Sequence, residues 1–291
     1  MHPAPSVILF TTLSGLGFGF LAFLGAGCLH PAGGAAFLLW GLGYALAVGG
    51  LLFSTFHLGN PQRAWRAFTQ WRTSWLSREG WASVLTLLLL APVALSDWLA
   101  LGWSRLPGMV GAAMCVVTIF TTSMIYAQLK TIPRWNHWIT PVLFLTFAAT
   151  GGAILAGKTA LAITACVLLA GVLLAGWRIG DGRFATVGAT MESATGLGAI
   201  GKVRVFERGH TAGNYLLREM IFVVGRKHAA RLRVLALGLA AVVPALILLL
   251  AGNHPVAIAL AAISHLLGAM AQRWLFFAEA EHVVGLYYGQ R

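Results

Sequence analysis

Charged side chains are scarce in this sequence. They make up 10% of its 291 residues, while 58% are hydrophobic; ordinary soluble domains carry roughly 25% charged residues. A core surrounded by water cannot hide so much apolar surface, so a bilayer is the solvent for most of the chain. Alternation of apolar and polar residues is missing from the long apolar runs. That excludes a membrane β-barrel and leaves a bundle of helices. Cysteine is sparse too: Cys28, Cys115 and Cys166 stand far apart, with no Cys-x-x-Cys spacing. The chain therefore carries no iron–sulfur cluster and no thiolate zinc site of its own, and no metal ligand set is expected. Each cysteine reads as a small apolar core residue. The amino terminus, Met1-His2-Pro3-Ala4-Pro5, lacks the basic flank of a signal peptide, so the first apolar run reads as a retained helix.

What is present is a series of eight apolar runs, over 6–28, 35–56, 80–102, 107–129, 139–157, 159–177, 234–251 and 255–278. Each approaches the roughly 20 residues that a helix needs to cross the hydrocarbon. The fold expected is all-α: a polytopic membrane bundle of eight transmembrane helices, forming one domain over 1–291 with no internal repeat. A polar, basic insert occupies about 178–233 between the sixth and seventh helices, and 214–224 within it has the pattern of an amphipathic surface helix. Lys and Arg outnumber Asp and Glu by 20 to 8, for a net charge of +12. In a polytopic protein such a balance belongs to cytoplasmic loops rather than to nucleic-acid binding. The loops after the second, fourth and sixth helices hold sixteen Lys and Arg, against two in the odd loops. The asymmetry puts these loops and both termini in the cytoplasm.

The chemistry concentrates where ionisable groups meet apolar runs, in Phe56-His57-Leu58-Gly59-Asn60-Pro61-Gln62-Arg63-Ala64-Trp65-Arg66 and on through Ser77-Arg78-Glu79. Asn60-Pro61 is a helix-start signature. Trp65, Phe68 and Trp71 then recur at helical spacing, as in a short interfacial helix with its arginines toward water. His57 ends the second helix and Glu79 falls in the first turn of the third, both at one membrane surface. Singly, each has an ordinary reading: a histidine on a free carbonyl, and a carboxylate stabilised by a helix dipole. Together, with aromatic rings around them, they suit a ring cofactor that takes up electrons and protons in pairs, such as a quinone. Histidine titrates near cellular pH, and a neighbouring carboxylate can orient it or pass its proton on. Arg63 and Arg66 are candidates for holding a quinone headgroup or docking an acidic partner face, with membrane-surface anchoring as the alternative, and Trp65 is a candidate for a stackable pocket wall.

The stretch Phe56 to Ala64, followed by Ser74-Trp75-Leu76-Ser77-Arg78-Glu79, resembles the membrane anchor subunit of dimethyl-sulfoxide-reductase-type molybdoenzymes. Met124 to Trp135 is similar to that family's segment at the end of the fourth helix, and Gln272-Arg273-Trp274-Leu275-Phe276-Phe277 to its final helix. The resemblance implies a quinone-reactive anchor in a bacterial inner (cytoplasmic) membrane. It carries no metal itself and docks a four-cluster iron–sulfur subunit and a molybdopterin catalytic subunit. The family's quinone-site histidine and glutamate fall on His57 and Glu79; Tyr126 and Arg134 border the same cytoplasmic side and are further candidates for the site. The basic insert departs from the dimethyl sulfoxide reductase anchor, and the cytoplasmic docking loop points to the sulfite dehydrogenase branch, which reduces quinone (ubiquinone or menaquinone), rather than to a quinol-oxidising dimethyl sulfoxide reductase. A transporter is the lesser alternative, since the polar residues gather at one surface and not at the midplane. His265, near the bilayer centre, makes a haem b conceivable, but no second histidine lies at its depth. Arg273 and Glu279 are expected to pair or to line the quinone pocket, and Asp97 to be an interfacial carboxylate.

Overall fold

The computed structural model describes residues 2–56, 60–207, 216, 219–221 and 228–288. Its spanning elements are α1 (Pro5–Gly25), α2 (Gly33–Phe53), α3 (Trp75–Leu99), α4 (Leu106–Ala127), α5 (Ile139–Leu155), α6 (Thr159–Val187), α8 (Ala229–Ala251) and α9 (Pro255–Ala278). Seven are long and apolar enough to cross a membrane, and α5 is a shorter apolar helix. Short helices complete the described residues: a 3-10 helix at Pro61–Phe68, α7 (Met191–Thr195) and a second 3-10 helix at Val283–Tyr288. No strand occurs among the described residues.

Helix α1 is the hub, packing against α2, α4, α5 and α9. The approach is close because α1 presents glycine where other helices arrive. A Cβ at Gly17 would collide with the backbone of Ala47 in α2, and one at Gly19 with the carbonyl of Ala148 in α5. In lipid, where apolar burial does not drive helices together, such backbone proximity is the main source of packing energy. Outward faces carry Leu38, Leu88, Val167, Leu168 and Leu250, all exposed, as a lipid-facing belt requires.

Three boundaries differ from expectation. Helix α3 starts at Trp75, five residues early, because the Ser74 hydroxyl caps it by accepting from the Ser77 N–H at 3.4 Å. Glu79 therefore lies in its second turn, pointing into the bundle. Helix α6 runs to Val187, ten residues past its expected end, and α8 begins at Ala229, so the stretch outside the spanning helices is 188–228. Of the surface helix expected over 214–224, only 216 and 219–221 fall among the described residues. His57 also lies outside them.

The start of α1 sits beside the end of α9, since Ile8 and Trp274 line one groove. The backbone N–H of Val283 donates to Thr131 O in the 4–5 link at 3.0 Å. Both ends of the bundle thus meet the even-numbered loops on one side. Gly19→Leu should destabilise the protein by about 1–3 kcal/mol or more through overpacking against α5, read as a lower thermal midpoint in detergent. Gly15→Leu, whose Cβ meets nothing within 4 Å, should leave the midpoint within about a degree of wild type.

Candidate functional site

The loop between α2 and α3 is anchored from its far end. Arg78 donates through Nε to Trp71 O at 3.0 Å and through NH2 to Arg72 O at 2.7 Å, and its guanidinium lies 4.3 Å from the Trp75 ring centroid. Trp81 Nε1 donates to Phe68 O at 2.9 Å, and the two rings meet edge to face. These bonds hold the 3-10 helix against the second turn of α3. Asn60 precedes that helix without a side-chain cap. Arg63, Trp65 and Arg66 project from it to the surface, Trp65 being 62% exposed. They do not line an enclosed pocket.

Beneath this surface helix, polar groups converge inside the bundle. Glu79 is 5% exposed, Tyr126 7% and Arg273 3%, from α3, α4 and α9 respectively. Tyr126 lies within electrostatic reach of both Glu79 and Arg273. The Thr122 hydroxyl, one turn before Tyr126, faces the Glu79 carboxyl. Four rings enclose Tyr126: Trp135, Phe144, Phe276 and Phe277, at centroid distances of 5.4 to 5.7 Å. Trp135 itself stacks on Phe276 at 5.0 Å and donates to Phe276 O at 2.9 Å.

Arg273 has no carboxylate within salt-bridge distance among the described residues. Its guanidinium carbon sits 3.5 Å from the Phe144 ring centroid, and NH1 donates to Gln272 Oε1 at 3.0 Å. Two buried atoms of the cluster, Glu79 Oε1 and Arg273 Nε, have no hydrogen-bond partner among the described residues. Leaving a buried polar group unpaired costs about 1–3 kcal/mol, and an intramembrane charge more still. Glu79 Oε1 can accept, and Arg273 Nε can donate, a further hydrogen bond. A crevice of about 20 Å³ reaches from Arg273 and Thr122 along the hydroxyls of Thr11, Thr12 and Ser14 to His265, room for a water molecule.

The expected pairing of Arg273 with Glu279 does not form. Glu279 caps the end of α9 and is held by two other arginines, Arg134 NH2 at 2.7 Å and Arg233 Nε at 2.7 Å. Both arginines also bind Asp181 on the extension of α6, at 2.9 and 2.5 Å. This network of opposite charges satisfies itself and so leaves Arg273 alone. His265 is equally tied: Nδ1 lies 2.7 Å from Ala240 O, in a π-helical turn of α8 (Gly238–Val242), and Nε2 lies 3.2 Å from Phe147 O. With both nitrogens on backbone carbonyls, the ring presents neither to a haem iron. Asp97 is held at the opposite membrane surface by Arg105 at 2.9 Å and Trp40 Nε1 at 3.0 Å. Sequence reasoning missed Thr122, although the run Thr118, Thr121, Thr122, Ser123 in an apolar helix is a readable signal. It also missed Asp181, because only the fold brings α6 beside the 4–5 link.

The sequence profile of the DMSO reductase anchor subunit (DmsC) matches residues 3–289. The chain is also 32% identical, over an alignment covering 99% of both chains, to a subunit of the sulfite dehydrogenase of Allochromatium vinosum. No solved structure matches. The match takes in every spanning helix together with Glu79, Tyr126 and Arg273, so likeness extends over the helices that build the buried cluster as well as the loops between them: the chain belongs to the DMSO reductase anchor subunit family and is a multi-pass membrane anchor.

Proposed function

We propose that this anchor passes electrons between a docked iron–sulfur subunit and membrane quinone, in a complex whose molybdopterin subunit oxidises sulfite. The observation that carries the reading is the convergence of Glu79, Tyr126 and Arg273, with Glu79 Oε1 and Arg273 Nε unpaired. The donor chemistry of those groups suits the oxygens of a quinone headgroup: a cation and a hydroxyl to donate, beside aromatic rings. Bound quinone supplies the chemistry of a ring that takes up two electrons and two protons. Arg273, uncompensated by any carboxylate among the described residues, would hold a headgroup oxygen and favour negative charge there. Tyr126 donates from its hydroxyl and fixes the orientation. Glu79 is the proton donor on the electron-accepting direction, and Thr122 holds its carboxyl. His57, at the end of α2 in sequence, is the exchanger between that carboxyl and water.

Arg63, Arg66 and Trp65, exposed on the surface helix directly above the cluster, form the docking face for the iron–sulfur subunit. That placement keeps the last cluster close to the quinone. The Lys and Arg asymmetry of the loops supports a cytoplasmic orientation of this face and of both termini, and the family supports a bacterial inner membrane as the setting. Identity to a sulfite dehydrogenase subunit along the whole chain favours electrons flowing into quinone, ubiquinone or menaquinone, over the reverse flow of a dimethyl sulfoxide reductase.

In the complex purified by a tag on this chain, Glu79→Gln and His57→Ala should each lower sulfite-driven reduction of a soluble ubiquinone by about 10²-fold or more. Arg273→Gln should raise the quinone KM as well as lowering kcat. Rates within about twofold of wild type for all three would remove the cluster from the reaction. Quinol-driven reduction of dimethyl sulfoxide without sulfite activity would keep the site and reverse the electron flow. The orientation has its own test in Cys28, a free, exposed thiol in the link between α1 and α2, whereas Cys115 and Cys166 are buried. A membrane-impermeant maleimide added to intact spheroplasts should label Cys28, and labelling only after lysis would invert the topology.

A further inference from the structure

A second concave site lies on the outer surface of the bundle, at the same end as the buried cluster but separate from it. Helices α1, α8 and α9 leave a groove of about 660 Å³ between them, within the roughly 300–1,000 Å³ of ligand sites. Ile8, Met270, Ala271 and Trp274 form part of its floor, with His228 and Arg231 at the lip. The floor is almost wholly apolar and half-buried, while His228 and Arg231 are exposed. The α9 residues lining it face away from Gln272 and Arg273, which point into the bundle.

Arg231 differs from its neighbours in charge balance. Arg134 and Arg233 each bind both Asp181 and Glu279. Arg231, in the first turn of α8, has no acidic partner among the described residues. It stands over an apolar groove, at the depth where the start of α1 and the end of α9 meet the headgroup region. An arginine kept out of a saturated ion-pair network at a membrane surface is a docking point for an anionic headgroup, and the apolar floor takes a chain that cannot face water.

We infer that this groove binds an anionic glycerophospholipid of the leaflet on the docking side, its phosphate on Arg231 and one acyl chain along Ile8, Met270 and Trp274. The site does not depend on the quinone reading. The test uses the complex delipidated in a neutral detergent, titrated with phosphatidylglycerol or phosphatidylcholine, with bound lipid counted by native mass spectrometry. Wild type should retain one more phosphatidylglycerol than phosphatidylcholine. Arg231→Gln, a surface substitution, should weaken that phosphatidylglycerol roughly fivefold to tenfold and leave phosphatidylcholine unchanged. Ala271→Trp, which fills the floor, should abolish it. Equal retention of the two lipids, or of phosphatidylglycerol by Arg231→Gln, overturns the inference. So does recovery of quinone or a second copy of this chain as the species that Ala271→Trp displaces.

Discussion

The bundle depends on backbone meeting backbone along α1. Its glycines let Ala47 and Ala148 of two other helices come to within a distance that no side chain permits. Dispersion and close contact take the place of the hydrophobic effect, which gives little preference for helix–helix over helix–lipid contact. With α1 fixed, α4, α5 and α9 are drawn in around it. Their ends at one membrane surface then come within side-chain reach of the start of α3. The buried cluster is a consequence of that crossing geometry. Glu79, Tyr126 and Arg273 lie on helices far apart in sequence, and nothing local holds them together.

At this same surface the protein treats charge in two ways. Arg134, Asp181, Arg233 and Glu279 satisfy one another and fasten the 4–5 link to α6, α8 and α9, as a half-buried ionic group must if it is to be tolerated. Through the neighbouring Trp135, that fastening positions the aromatic wall around Tyr126. Glu79 and Arg273 are left incomplete, with neither forming a salt bridge among the described residues. An apolar bundle retains such groups only against a cost in stability, and it is on that ground that the proposed quinone site is assigned to them rather than to the satisfied network. The exposed arginines of the surface 3-10 helix belong to neither class: water and the headgroup region solvate them.

Much of this was legible in the residues. The apolar runs located the seven helices long enough to span and the shorter α5, because a continuous stretch of that kind has few other stable states in lipid. The Ser74–Glu79 and Gln272–Phe277 stretches pointed to the helix ends where Glu79 and Arg273 are buried together. Errors arose where a hydropathy reading has no information. Helix α3 starts early through the Ser74 cap, and α6 runs on because Asp181 finds Arg134 and Arg233. Arg273 was expected to meet Glu279 two turns away on its own helix. The fold offered Glu279 two better-placed cations from other segments.

Composition and order of residues alone determined that the chain is a multi-pass helical membrane protein, and their motifs pointed to its family and to Glu79, Tyr126 and Arg273 as residues of interest. Hydrophobicity, helical length and turn chemistry are local properties, read directly from neighbours in sequence. Tertiary structure decided which ionisable groups are paired and which are left open. It placed Arg63, Trp65 and Arg66 outside the cluster, turned both nitrogens of His265 onto backbone carbonyls and set Arg231 above an apolar groove, away from the ion-pair network. Partners within a few ångströms are set by helix crossings between distant segments, and those crossings exist only once the bundle has closed around α1.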